Sequence, residues 1–418
     1  MKQEGFYKLS IKDRQKLLTD EFKLTKEEIQ TLTNSLPIET ADKMAENVVG
    51  TFALPFGLAM NFVVNGQEKI IPMATEEPSV IAAASNAAKL CLPEGFKASA
   101  SLPIMIGQIQ VIKLDDAFAA LKSLLKEKKR LLEIANSRDS TLVKLGGGAK
   151  DLQGKILETK RGKMLSLQVL VDCRDAMGAN AVNTICELLL PEIEKITGGK
   201  VRLRIISNLA IHRTVKVSVV WKKELLGESI IEAILDSHEF AMNDVFRATT
   251  NNKGIMNGIS AVCLATGNDT RAVEAGAHSY ASFKNNGKYL PLANSSKTNS
   301  GDLVGELELP IAVGIIGGAT KTHPLAKLSL KILQVKSAVE LAQIIACVGL
   351  ANNFAALRAL STEGIQRGHM ELHARNIAIS AGAKGKQIDE IANKMIAEKN
   401  IRLERAKELV NKKKKTMD

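Results

Sequence analysis

Residues 247–278 read RATTNNKGIMNGISAVCLATGNDTRAVEAGAH. A lone lysine, Lys253, lies among amides and small residues, with Asn251, Asn252 and Gly254 beside it and Asn257 one helical turn on. An apolar run from Ile259 to Leu264, readable as strand or helix, then delivers Gly267-Asn268-Asp269. Glycine permits close backbone approach, so the Lys253 side chain can point into whatever comes near. A lysine and an aspartate on either side of an apolar element form the pattern of a buried, charge-coupled site. The plain alternative is a solvated surface lysine.

Outward from this stretch, a helix is expected upstream over Ser229–Ala248. Downstream come Gly314-Ile315-Ile316-Gly317-Gly318-Ala319-Thr320, a long helix over Ser337–Leu360, and short helices ending in Lys412-Lys413-Lys414-Lys415. Further upstream, residues 1–45 are helical in period. Asn65-Gly66, between Phe62-Val63-Val64 and Ile70-Ile71, predicts a tight hairpin. A small-residue helix is expected over Val80–Leu90. From about Ser101 the pattern changes: a strand around Met105–Val111, an amphipathic helix over Asp115–Asn136, a turn at Gly146-Gly147-Gly148 and a strand over Leu165–Val171. A helix over Asn180–Ile196 and strands at Val201–Ile206 and Val215–Trp221 complete a strand-helix-strand-helix-strand-strand order, which suits a small ferredoxin-like domain.

Composition narrows the function classes. The 418 residues suffice for two or three domains. Lys+Arg number 57 against 45 Asp+Glu, a net charge of +12, which favours anionic partners such as phosphate-bearing cofactors. Aromatics make up only 4%, with Trp221 the one tryptophan, so base-stacking platforms are excluded and no nucleic-acid partner is expected. The five cysteines are scattered and unpaired in spacing, which fits a reducing interior. The first residues, MKQEGFYKLSIKDRQ, carry no signal-peptide pattern, and Gln343, Asn352, Asn353 and Arg358 interrupt the most apolar stretch. A cytoplasmic protein without a membrane segment is the expectation.

Four further motifs carry chemistry. No G-x-G-x-x-G follows a strand, and five residues rather than four separate Gly148 from Gly154-Lys155, so no P-loop forms. Asp175-Ala176-Met177-Gly178-Ala179-Asn180 instead lies between a strand and a helix. Small residues there leave the first helical N–H groups open to a pyrophosphate, with Asp175 as an ordinary N-cap the alternative. Glu76-Glu77-Pro78-Ser79 sets paired carboxylates before the small-residue helix, an arrangement open to acid catalysis as well as to a solvated turn. His369-Met370-Glu371-Leu372-His373 lacks the carboxylate position of a zinc motif, so no metal is expected and His369 is either structural or a general acid. Glu46-Asn47-Val48-Val49-Gly50-Thr51-Phe52 is the fourth.

Together with residues 247–278, these motifs resemble, in order and spacing, those of hydroxymethylglutaryl-CoA reductases of the soluble bacterial class. The resemblance implies reduction of HMG-CoA to mevalonate and CoA with two NADPH or NADH. It implies catalytic roles for Glu77, Lys253, Asp269 and His369: Lys253 at the oxyanion, Glu77 as acid, Asp269 balancing the Lys253–Glu77 pair, and His369 protonating the CoA thiolate. Ser79, Arg247 and Asn257 would bind substrate, and Asp175, Met177, Gly178, Ala179 and Asn180 the cofactor. The implied fold is α+β: a large mixed α/β substrate domain (1–102 and 210–362), an inserted ferredoxin-like cofactor domain (103–209) and a small helical C-terminal flap (363–418). A homodimer with shared active sites is implied, Glu77 and Lys253 meeting across the interface near Glu46–Phe52, and a hexamer of dimers is allowed. Neither a basic nucleic-acid binder nor a non-catalytic CoA-binding module accounts for Lys253, Asp269, Glu77 and His369 together.

Overall fold

Three short helices lie near the start of the chain: α1 (Ile11–Phe22), α2 (Lys26–Thr31) and α3 (Ile38–Met44), the first two capped. The Ser10 and Thr25 hydroxyls accept from the Asp13 and Glu28 amides, both at 3.2 Å, satisfying donors a helix start leaves free. The structure is a computed structural model describing residues 5–137, 140–362 and 365–414; the side chains of residues 140, 365–372, 413 and 414 lie outside it. β1 (Phe56–Val64) and β2 (Gln67–Ala74) pair as the expected hairpin, closed by Asn65 and Gly66 at φ 50° and 79°. α4 (Val80–Lys89) buries Ala84, Ala87 and Ala88, and β3 (Lys97–Ala100) begins a sheet that is completed only after a long excursion.

The excursion runs β4 (Ile104–Ile112), α5 (Ala117–Lys126), α6 (Lys128–Ala135), α7 (Ser140–Lys144), β5 (Gly148–Thr159), β6 (Gly162–Asp172), α8 (Ala179–Thr197) and β7 (Lys200–Ser207). Its strands lie in the order β5-β6-β4-β7, every neighbouring pair antiparallel. This is a split β-α-β sheet. Two details differ from expectation. The helix over Asp115–Asn136 breaks at Glu127 into α5 and α6. β5 is a full strand where only a turn was anticipated, because as an edge strand it exposes Gln153 and Lys155-type positions whose polarity masks the period.

After the excursion come β8 (Thr214–Trp221), α9 (Lys223–Leu226), α10 (Glu228–Asn243), α11 (Val245–Ala265), α12 (Thr270–Phe283), β9 (Ala293–Lys297), β10 (Leu303–Pro310), α13 (Gly318–Thr322), α14 (Pro324–Leu333) and α15 (Ala338–Ser361). β8 does not join the smaller sheet, where its place in the element order had grouped it. It lies between β3 and β10 in the order β3-β8-β10-β9. α15 is the one helix among the described residues long and apolar enough to cross a membrane, yet 67% of its apolar window is buried in the protein. Phe354 of α15 stacks on Trp221 at 3.8 Å, and the indole donates to the Ala87 carbonyl at 3.0 Å, so sheet, α15 and α4 share one core.

α16 (Ile365–Ser380), α17 (Lys386–Ala397) and α18 (Leu403–Lys414) close the chain. Their apolar residues form a separate cluster, with Ile391, Met395 and Leu409 packed against Ala374, Ala378 and Ala406. Alanine at the contacts lets the helices approach closely, so few large side chains are needed.

Candidate active site

Asp244 divides what had been expected as one helix over Ser229–Ala248. It adopts extended φ/ψ and its carboxylate accepts from the Arg247 amide at 2.7 Å, so α11 starts afresh at Val245. Lys253 therefore sits in mid-helix. Gly258 and the amides around it serve packing, whereas Gly254 has room for a Cβ. A Cβ on Gly258 would stand 2.8 Å from the Val348 carbonyl of α15, and one on Gly349 would stand 2.8 Å from Ile259. Asn252, fully buried, accepts from the Leu292 amide at 2.9 Å and donates to the Leu290 carbonyl at 3.0 Å, while Asn251 accepts from Asn353 at 3.0 Å. These contacts fix the rotation of α11, and that rotation aims Lys253 outward.

The Lys253 ammonium lies 2.7 Å from Glu77 Oε2, and Asn257, one turn on, donates to Oε1 at 3.4 Å. Glu77 is half-buried and bonded, whereas Glu76 is exposed. Both partners belong to one chain, so the expectation that the Glu77 and Lys253 segments meet across a subunit interface is corrected: α4's leading loop reaches α11 within the protomer. Side-chain exposures of 60% for Lys253 and 34% for Glu77 make this an accessible ion pair, worth only about 0–1 kcal/mol in stability. Ser79 beside it holds φ 72°, a left-handed conformation unusual for serine, and makes no cap hydrogen bond. Arg247 is partly buried and no carboxylate stands within 4 Å among the described residues; burial lowers its proton affinity, as for a cation awaiting an anion.

Asp269 N-caps α12, accepting from the Ala272 amide at 3.1 Å, with Arg271 at 3.5 Å. No hydrogen bond or ion pair joins it to Lys253 among the described residues. Its neighbour Asn268 accepts from the Gly314 amide at 2.8 Å, anchoring the loop between β10 and α13.

At the edge of the smaller sheet, Gly178 at φ 106° begins α8 without a side-chain cap, and the first turn holds no acid. The amides of Ala179, Asn180 and Ala181 are thus free of helical partners, as a pyrophosphate site requires. A Cβ on Gly178 would lie 2.3 Å from the Cys173 sulfur, so only glycine allows this entry; burial pushes that thiol up to about 11. Met177 lies partly buried in the preceding turn. Asp175 does not cap α8. Its carboxylate accepts from the Ala338 amide at the start of α15, at 2.8 Å, and thereby joins the small sheet to the large unit.

Arg213 was not singled out in the sequence. It is 5% exposed and donates to the carbonyls of Ala176 at 3.1 Å and Met177 at 3.0 Å and also to that of Val313. Also unforeseen is a chain from Ser260 through Glu274 (2.6 Å) and His278 (3.2 Å) to Tyr289 (2.6 Å). Burial pushes the Glu274 carboxyl up, but hydrogen bonds from His278 and Ser260 outweigh it, and the group stays below its ordinary value. Its i,i+4 spacing in EAGAH was the available signal. His369 falls on the backbone of α16, but its side chain lies outside the described residues.

A family model described as hydroxymethylglutaryl-coenzyme A reductase matches residues 10–374. The chain is 54% identical over 411 residues to the 3-hydroxy-3-methylglutaryl-coenzyme A reductase of Archaeoglobus fulgidus, spanning 98% of this chain and 94% of that one. A probable enzyme of the same name from Borreliella burgdorferi is 39% identical over 342 residues, spanning 80% and 77%. Among solved structures, the reductase of Streptococcus pneumoniae superposes with a TM-score of 0.84 at 39% identity, covering 99% of this chain and all of that one. A class II structure from the same organism, described as bound to NADPH in open conformations, superposes with a TM-score of 0.81.

Proposed function

The chain belongs to the hydroxymethylglutaryl-CoA reductase family, has its mixed α/β fold and is an oxidoreductase reducing HMG-CoA to mevalonate; from that premise we propose how its residues divide the work. The observation that carries the reading is the convergence of Lys253 and Glu77, which are 176 positions apart, at 2.7 Å in an accessible pair that stability does not require. Residues 1–102 and 210–362 serve the substrate, 103–209 the cofactor, and 363–418 act as a flap over the site.

When bound, a dihydronicotinamide supplies the hydride in both reductions. The open amides of Ala179 and Asn180 would hold its phosphates, and Gly178 before them puts no side chain in the way. Asp175 acts through its hold on α15 rather than by touching the cofactor, and Met177 lines the approach. Arg247 meets the far carboxylate of the hydroxymethylglutaryl group with Ser79. Lys253 follows Arg247 by six positions on α11, about 9 Å along the axis. Lys253 stabilises the oxygen that becomes negative as each carbonyl is reduced. Glu77, oriented by Asn257 and the ammonium, supplies the proton for the second reduction. Asp269, capping α12, adds negative potential to the site, and His369 protonates the departing CoA thiolate. No metal enters this scheme. We place the protein in the cytoplasm as a homodimer, built on the exposed Val49 and Phe52, with higher assembly left to measurement.

The test is loss of nicotinamide absorbance on adding HMG-CoA, run with NADPH and NADH in parallel, with mevalonate and free thiol quantified. Oxidation of the nicotinamide without HMG-CoA, or none with it, defeats the reading.

A further inference from the structure

After Gly267 the chain turns back along α11. Glu274 of α12 meets Ser260 of α11, and residues 289–292 meet Asn252, about two turns earlier on the same helix. The side chains between them form one hydrogen-bonded series. The Ser260 hydroxyl donates to Glu274 Oε1 at 2.6 Å, and His278 Nε2 lies 3.2 Å from Oε2. With that N–H turned to the carboxylate, Nδ1 is left to accept from the Tyr289 hydroxyl at 2.6 Å. Burial raises the Tyr289 phenol, while a hydrogen bond from the Asn252 side chain favours its ionised form, so Asn252 is the first donor of the series. Asn252 is itself fully buried and tied to Leu290 and Leu292. Both ends therefore donate inward, and the series converges on the Glu274 carboxylate.

α11 carries both ends of the series, at Asn252 and Ser260, and between them lie Lys253 and Asn257. At about 3.6 residues per turn, Lys253, Asn257 and Ser260 share one face of the helix. The carboxylate bonded to Ser260 thus stands along the row that Lys253 begins. Burial opposes its ionisation, but the hydrogen bonds from His278 and Ser260 and the nearby Lys253 ammonium favour it and prevail. Stability does not account for the arrangement. The Glu274 and His278 side chains are 37% and 36% exposed, and ion pairs so open to solvent contribute little.

The reaction itself has a use for such a group. Each reduction adds a hydride and a proton to a carbonyl. While Glu77 carries that proton it is neutral and no longer offsets Lys253, and Asp269 is engaged in capping α12 and with Arg271. A carboxylate kept ionised by donors of its own meets the need. We propose that Glu274, fixed by Ser260 and His278, is a positioning residue acting through Lys253: it keeps an anion on the ammonium's face of α11 while Glu77 is protonated, and so holds the positive charge where each oxyanion forms. This rests on reading Lys253 as the partner of the oxyanion and Glu77 as the acid.

Glu274→Gln removes the charge and keeps the shape. It is expected to lower kcat for HMG-CoA and for mevaldehyde by roughly tenfold, within the range of coupling between neighbouring residues, and to leave KM for HMG-CoA nearly unchanged. Glu274→Asp, which keeps the charge, should recover most of the loss; an equal loss in the two variants overturns the role of the charge. The deciding measurement is the double variant. Because Glu274 acts through Lys253, adding Glu274→Gln to Lys253→Ala should cost nothing further. The same loss in both backgrounds overturns the proposal in favour of a structural brace. A raised KM with unchanged kcat overturns it in favour of substrate binding. Should Glu274→Gln not fold, Ser260→Ala, which takes one donor from the carboxylate, is read with and without Lys253→Ala in the same way. Lys253→Ala alone tests the premise. Wild-type turnover there sinks the reading of Lys253 and the role of Glu274 with it, whereas its loss beside a wild-type-like Glu274→Gln sinks the role of Glu274 alone.

Discussion

Replacing Lys253 with alanine separates the two things an ion pair can do. The pair with Glu77 is short, 2.7 Å, but 60% and 34% exposed. Exposed pairs are worth about 0.2–1 kcal/mol, so the melting temperature of Lys253→Ala should fall by no more than about 2–4 °C. No buried partner is stranded, because Glu77 keeps solvent and Asn257. The chemical loss should be far larger. Removing one donor to a developing oxyanion costs about 3–4 kcal/mol, roughly 10²–10³-fold in kcat. Since a carbonyl is reduced in each step, HMG-CoA and mevaldehyde turnover should fall together. The assay is nicotinamide absorbance with each substrate, beside calorimetry on the same preparation. Turnover within about tenfold of wild type removes Lys253 from the oxyanion. A melting point depressed well beyond that range would mean that the pair supports the fold and that the exposure argument is wrong.

Three other outcomes are expected. His369→Gln should block reduction of HMG-CoA while sparing free mevaldehyde, since only the thioester releases a thiolate that needs a proton; equal losses in the two assays would assign the histidine to structure. Mixing inactive Glu77→Ala and Lys253→Ala proteins under subunit exchange should restore no activity, because the two side chains meet within one chain; recovery would place the pair across an interface. Lys69 and Glu340 bridge β2 and α15 at 2.7 Å with the lysine 9% exposed. Burial pushes the Glu340 carboxyl up, but the hydrogen bond from Lys69 and the backbone of Lys336 bring it below its usual 4.5. A carboxyl lowered in the fold contributes stability that is complete above pH 4.5 and lost as pH falls through its folded value. Glu340→Gln, which strands Lys69, should therefore cost about 1–3 kcal/mol at neutral pH and narrow its deficit in acid; a deficit independent of pH between 7 and about 3 contradicts this.

Much of the fold was legible because local chemistry and tertiary structure agree. Asn65-Gly66 closes the hairpin it advertises, and the spacing of apolar residues from Val80 and from Ala338 gives helices within a residue or two of expectation. Three residues picked out in the sequence, Lys253, Glu77 and Asn257, do come together in the structure. The helix through Lys253 was less legible. Gly254 and Gly258 lower helix propensity, and in isolation such a run argues for a surface loop. The need for Gly258 is visible only with α15 in place, where a Cβ would strike the Val348 carbonyl, so a long-range contact overrides the local signal. The same holds for Asp175. Its position before α8 suits an N-cap or a ligand contact, and nothing within six residues hints that it binds the amide of Ala338, 163 positions away. Arg213 was silent for a related reason: one arginine among 57 basic residues carries no mark of burial. Its partners are carbonyls, which every residue has, so no complementary acid in the sequence could have betrayed it. Acid-base pairs leave a trace of composition that a reader can follow. Contacts to backbone groups, such as those of Arg213 to Ala176 and Met177 and of Asp175 to Ala338, leave none.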